Sequence, residues 1–226
     1  MKTTRIKRVS FIGILILLAV SLSANSQELK DFDCNVYKTI KYGVQTWSAS
    51  NLNVSHFRNG DIIPEAKTET EWAYAGNTGK PAWCYYDNDT ANGKKLGKLY
   101  NWFAISDKRG LVPEGWHVPG NADWGILVQN LMGVDIAGTR LKSTTGWKSN
   151  TGTDNIGFSA IPGGYRDPDG KFKDIETTGR WWSNSSPVDV KPSNKIYSIN
   201  LSNNSPEISY IQSEKGAGYA VRWLKD

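Results

Sequence analysis

The chain is 226 residues long, with 27 Lys+Arg against 22 Asp+Glu, and it carries 10 Trp, 10 Tyr and 22 Gly but only 2 Cys and 2 Met. That length suits one domain with a full core, and the aromatic- and glycine-rich composition points to β-structure joined by tight turns. Charges are interspersed, with no single-sign run or basic patch, which excludes a nucleic-acid-binding role.

The opening "MKTTRIKRVSFIGILILLAVSLSANSQ" starts basic, continues apolar and ends in small residues. This is the order of a secretory signal peptide over 1–26, with a cleavage site at Ala24-Asn25-Ser26. Its uncharged stretch from Val9 to Leu22 is 14 residues, short of the ~18 that a membrane span requires. Four basic and no acidic residues precede Gln27, so the remainder is nearly balanced at 23 against 22. Cys34 stands beyond the acidic "DFD", too far from the apolar run for a lipid-anchored N-terminus. The expectation is a protein secreted, periplasmic or held at the cell surface, with no membrane span after cleavage.

Residues 27–35 read as a spacer. "VYKTIKYGVQTWSASNLNV" (36–54) then reads as two strands broken at Tyr42-Gly43, with β-branched and aromatic residues on both sides. A polar stretch up to Trp83 reads as loop. Leu99, Trp102, Phe103 and Ser106 predict a short helix after Gly97. A second helix starts at Ala122, where Trp124, Leu127, Val128 and Leu131 form one apolar face. Gly120 or Asn121 can cap it, Asp123 lies in its first turn and Gly133 can end it.

Beyond that helix the chain is turn-dense. Short strands are predicted at 157–161, 180–184, 195–201, 207–212 and 218–224, the last three as an antiparallel meander. The whole reads as α+β: two short helices, an antiparallel β-sheet and long loops, in a single domain over 36–226. In an oxidising compartment, Cys34 and Cys84 either form a disulfide tying the N-terminal arm to the body or stay as two separate buried thiols. Two cysteines give no spacing pattern to decide between these.

Seven stretches come in a familiar order: "VQTWSASNLNV", "WCYYDND", "GKLYNWFAISDKRGLVPEGWHVP", "AGTRLKSTTGW", "GFSAIPGGYRDPDGKF", "RWWSNSS" and "GYAVRWLKD". Together they resemble the Fibrobacter succinogenes major paralogous domain, a family of exported proteins of Bacteroidota-like bacteria, over residues 36–226. The resemblance implies a C-type lectin-like fold and carries no known biochemical activity. One departure is visible. Family members often end in "VRCVRD", whereas this chain has Arg222-Trp223-Leu224, so a disulfide to that terminal position is not available.

Catalysis needs an acid–base residue with a partner in reach. The two histidines, His56 and His117, lie in separate regions, and no Gly-x-Ser-x-Gly or comparable nucleophile motif occurs. "WHVP" leads into the second helix, so His117 reads as architecture. The lectin-like superfamily that the resemblance implies also includes formylglycine-generating oxidases, which "GWHVP…ADW" resembles. Those enzymes need a C-terminal pair of cysteines for copper, and this chain has none after Cys84. The expectation is therefore no enzyme.

Calcium-dependent lectins use Glu-Pro-Asn or Gln-Pro-Asp with Trp-Asn-Asp, and neither pair is present. Two acidic clusters could still offer oxygens to calcium: Asp87-Asn88-Asp89, and the turn-like Asp167-Pro168-Asp169-Gly170. Asp89-Thr90-Ala91 also resembles an O-glycosylation acceptor of Bacteroidota. For ligand binding the aromatics are the lead. Trp147 and Tyr165 sit among the long loops, and Trp181 and Trp182 are adjacent in a strand and so face opposite ways. With Arg166 and Asn184 these make up the expected binding set, for an extracellular glycan or, alternatively, a surface protein. Trp47, Trp102, Trp116 and Trp124 are assigned to the core.

Overall fold

The computed structural model describes residues 29–149, 152–187 and 194–226; the signal peptide expected over 1–26 lies outside them. In chain order the described elements are β1 (Leu29–Lys30), β2 (Val36–Tyr37), β3 (Thr39–Tyr42), β4 (Gln45–Ser48) and α1 (Glu69–Thr78). Then come β5 (Trp83–Cys84), α2 (Thr90–Leu96), β6 (Leu99–Tyr100), α3 (Trp102–Ile105), β7 (Trp116–His117), α4 (Asn121–Asn130) and α5 (Val134–Leu141). The C-terminal part holds β8 (Gly163–Arg166), β9 (Phe172–Ile175), β10 (Thr178–Trp182), β11 (Lys195–Ser202), β12 (Ile208–Glu214) and β13 (Leu224–Lys225). The architecture is mixed α+β, mostly sheet with few short helices.

Two sheets organise the molecule. One has the order β12-β11-β10-β8-β9 and the other β3-β4-β13-β7. In the first, β8 and β10 run parallel while the other neighbours run antiparallel. The β3–β4 hairpin turns at Gly43 as its residues predict. Tyr42 pairs with Gln45 across the two-residue loop, and Gly43 takes φ 59°, which a side chain resists and tight hairpin turns require.

Helix α4 also follows its sequence. Asp123 accepts the Gly120 N–H at 2.8 Å, satisfying one orphan donor at the N-terminus. Trp124, Leu127, Val128 and the following Leu131 are all buried, worth about 1.5–3 kcal/mol each. Met132 and Gly133, both at positive φ, end the helix.

Elsewhere the structure departs from the sequence reading. Residues 29–35, expected as a spacer, are folded onto the body: Leu29 pairs with Tyr37, and the buried Asp31 accepts the Tyr37 hydroxyl at 2.6 Å. The helix expected right after Gly97 is delayed to Trp102, because Leu99 and Tyr100 pair with Cys84 and Trp83 and Asn101 caps the turn. Residues 157–161 form a loop with a single bridge, Ala160 to Lys142. The meander is β10-β11-β12; the 218–224 segment does not extend it.

That segment instead stitches the two sheets together. Gly218 bridges Arg166, Tyr219 bridges Tyr100 and Ala220 bridges Trp181. Further along, Leu224 pairs with both Trp47 of β4 and His117 of β7.

Trp181 and Trp182 do point to opposite faces, and both faces are covered. Trp181 joins the cluster of Trp47, Trp124, Phe158 and the α4–α5 side chains. Trp182 packs 4.5 Å from Tyr219 and 5.6 Å from Trp102, centroid to centroid. Among the described residues, Cys34 and Cys84 are free thiols, so the expected disulfide is absent. Cys34 is exposed at φ 62° in the β1–β2 turn. Cys84 is fully buried in β5, and burial pushes its thiol up to about 12.

Candidate functional site

The C-terminal stitch shapes a cleft of about 180 Å³ between the 167–170 turn, β10, the end of β12 and the Ala217–Tyr219 loop. The turn is set by backbone: Gly170 donates to the Asp167 carbonyl at 2.9 Å, and Asp167 donates to Lys171 at 2.8 Å. Gly218 and Arg166 exchange two backbone hydrogen bonds, of 2.7 and 3.0 Å, and these fix Tyr219 beside β8. A Cβ on Gly218 would sit 2.6 Å from the Trp72 ring, so this approach needs glycine.

Arg180 lies at the centre of the cleft wall. Its register partner on β11 is Asn200, whose own partner on β12 is Ser209, giving a polar row across three strands. The guanidinium carbon lies 4.2 Å from the Tyr165 ring centroid and 5.5 Å from that of Tyr219. Nε donates to Asn200 Oδ1 at 3.3 Å, and Nη1 donates to the Tyr219 hydroxyl at 3.2 Å. Opposite stands Asp167, whose carboxyl burial holds above the usual carboxylate range and whose Oδ2 is 4.0 Å from Lys173 Nζ. Burial likewise pushes the Tyr165 hydroxyl up to about 12. Perturbed groups converging on a concavity mark a site to examine first.

Residues 40–225 match the Fibrobacter succinogenes major domain. The chain belongs to this family. No curated protein and no solved structure matches it.

Of the residues expected in a binding set, none lines the cleft of this Fibrobacter succinogenes major domain; Tyr165 comes nearest, packed against the Arg180 guanidinium. Trp147 is buried, donating its indole N–H to Ala160 O at 3.1 Å. Trp181 and Trp182 are buried too, donating to Asn51 Oδ1 at 2.8 Å and Tyr100 O at 2.7 Å. None of the three has a face left for a ligand. Arg166 is also internal, sandwiched between Trp72 and Phe172 and donating to Gly170 O and Ala66 O at 2.7 Å each. It holds the 167–170 turn and contacts no open space. Asn184 is exposed but bonds through its backbone to Pro119, beside the start of α4.

In the acidic run, side chains make local contacts. Asn88 donates to Lys67 O at 2.6 Å, Asp89 caps α2 by accepting Ala91 N–H at 2.9 Å, and Asp87 and Asn88 both turn at positive φ. Among the described residues, no group of three or more His, Cys, Asp and Glu is placed to hold a metal.

Sequence reasoning missed Arg180, Asp167 and Asn200 as a group, and Tyr219 as their neighbour. One signal was present. Arg180 immediately precedes Trp181-Trp182 and shares the face of Trp182, so a polar residue there had to be explained. His117 lies elsewhere. Its Nδ1 is 2.6 Å from Asp226 Oδ1 and its Nε2 is 3.4 Å from Asp123 Oδ2.

Proposed function

We propose that this protein is a non-catalytic glycan-binding module of the bacterial envelope or cell surface, built on a C-type lectin-like fold. The observation that carries the reading is the cleft itself: Arg180 packed against the Tyr165 ring and bonded to the Tyr219 hydroxyl and Asn200, with Asp167 on the facing turn. Planar donors and acceptors set against aromatic rings suit the alternating hydroxyl edges and apolar faces of a sugar. The lectin-like fold is supported by short helices preceding an antiparallel meander, by long loops, and by the return of β13 to the N-terminal hairpin.

The non-catalytic reading rests on the sequence, which carries no nucleophile motif. His117 does have carboxylates in reach, Asp226 and Asp123, and Asp123 is already engaged by Gly120 N–H. A glycan-array screen of the purified protein, run with calcium and with a chelator, tests the proposal. Binding in either condition that is lost in Arg180→Ala supports it; silence in both conditions removes it.

A protein partner is the second reading, favoured by a different surface. Where α4 meets α5, Met132 is 71% exposed and Val134 47% exposed. The β3–β4 turn, with Val44 88% exposed, touches the end of α4 through Tyr42 and Asn130. Apolar side chains grouped on a surface mark contact sites for other chains.

A further inference from the structure

Arg180 combines partial burial with neutral partners and an unused donor. Arg109, on the surface, is held by two carboxylates: Asp107 at 2.7 Å and Asp61 at 3.1 Å. Arg166 and Arg222 are deeply buried and spend their donors on backbone carbonyls and an amide oxygen. Arg180 is half-buried, yet each of its partners is neutral: Asn200, Tyr219 and two aromatic faces. Its Nη2 donates to no described residue, and no described carboxylate lies within ion-pair distance.

A guanidinium partly removed from water favours an anion, and its fork matches the two oxygens of a carboxylate. The stack on Tyr165 fixes the plane of that fork, so little ordering remains to be done when a ligand arrives. Two carboxylates, Asp167 and Glu214, also line the cleft. Asp167 already has a cation near it, Lys173, and Glu214 is exposed on the rim.

We infer that the cleft takes a carboxylated sugar, a uronate unit within a glycan, with Arg180 receiving the carboxylate as a bidentate pair. This rests on the glycan-binding reading and narrows it. Neutral edges of the same sugar meet Gln212, Ser213 and Asp167, while Tyr219 closes the inner wall.

The test is calorimetric titration of the purified protein with oligomers of galacturonate, glucuronate and mannuronate, each paired with its carboxyl-reduced neutral counterpart. The expected result is binding of at least one acidic oligomer about 10- to 100-fold tighter than its reduced partner, the range of a charge-assisted hydrogen-bonded pair. Arg180→Gln should erase that preference, and Arg180→Lys, which keeps charge and stem but loses the fork, should restore only part of it. Thermal melts of both variants check folding, and if Arg180→Gln fails to fold, the Arg180→Lys comparison still decides.

Equal or tighter binding of the neutral oligomers overturns this inference while leaving the glycan reading intact. An acidic preference that survives in both variants overturns the assignment to Arg180. No binding of any oligomer, acidic or neutral, overturns the uronate assignment, and silence on the glycan array as well removes the glycan reading with it.

Discussion

Arg222 donates through Nε to Oδ1 of Asn51 at 2.8 Å, and that same oxygen accepts the indole N–H of Trp181 at 2.8 Å. Arg222 also donates to the carbonyls of Ser48, Phe158 and Ser159, so one guanidinium ties the hairpin, the 158–159 loop and the C-terminal stitch together. Asn51 adds a bond from Nδ2 to Leu96 O at 2.8 Å. Burial of this cation among neutral oxygens pulls its pKa down to about 9.

Removing either residue leaves buried polar groups without partners. Arg222→Met and Asn51→Leu should each cost roughly 2–5 kcal/mol. The double variant should cost less than the two singles combined, by about 0.5–3 kcal/mol, because they share one network. Urea unfolding of the three variants measures the coupling, and additivity would show that the shared oxygen contributes nothing.

Gly138 in α5 offers a reversed sign. Glycine to alanine inside a helix ordinarily stabilises by about 0.5–1 kcal/mol. Here a Cβ would sit 2.3 Å from Glu207 O and 2.5 Å from Pro206 O, backbone atoms that cannot rotate away. Gly138→Ala should therefore lower the melting temperature, whereas Gly125→Ala in α4, with nothing within 4 Å of its Cβ, should raise it.

Lys98 gives a pH dependence. It is buried over the Trp83 ring and donates to Asn53 O at 2.6 Å and Ser55 Oγ at 2.9 Å. Burial pulls its pKa from 10.5 down to about 8. Between those values the unfolded chain holds a proton that the native state has released, so stability rises with pH across this window. Below about 8 the buried charge persists and its full cost is present. Chemical denaturation at pH 7.5 and 10 should show that rise in the native protein and its loss in Lys98→Met; parallel curves would refute the assignment.

The two cysteines should separate by reactivity. In the native protein a thiol reagent is expected to modify Cys34 rapidly and Cys84 only after denaturant is added. Cys34→Ser should change stability by no more than about 0.5 kcal/mol, where loss of a disulfide costs about 2–5 kcal/mol. Mass spectrometry of labelled, unreduced protein distinguishes the two cases.

Periodicity reveals an element only when that element buries a repeating face. Helix α4 does so through Trp124, Leu127, Val128 and Leu131, and it was legible. Helix α1 buries only Trp72 and Ala75 and read as polar loop, and α5, which buries Ala137, Gly138 and Leu141, was not singled out. The capping box of α1, Thr68 with Glu71, was nevertheless written in the sequence. Alternation in Trp181-Trp182 was also legible. That both rings are covered was not, because coverage comes from Trp124 on one side and from Trp102 and Tyr219 on the other, all distant in sequence. The cleft has the same difficulty: Arg180, Asn200 and Tyr219 meet only once the sheet has formed and the C-terminal segment has crossed it.

That crossing has a consequence for how the molecule is made. Trp223 and Leu224 are buried, and residues 218–224 supply the contacts that join one sheet to the other. A chain emerging from the ribosome N-terminus first therefore carries its hairpin, its helices and most of its large sheet before these joining contacts exist. Loop-closure entropy must be met across nearly the whole length before these late contacts form. The links made by residues 218–224 are thus the last of the fold to become available during synthesis.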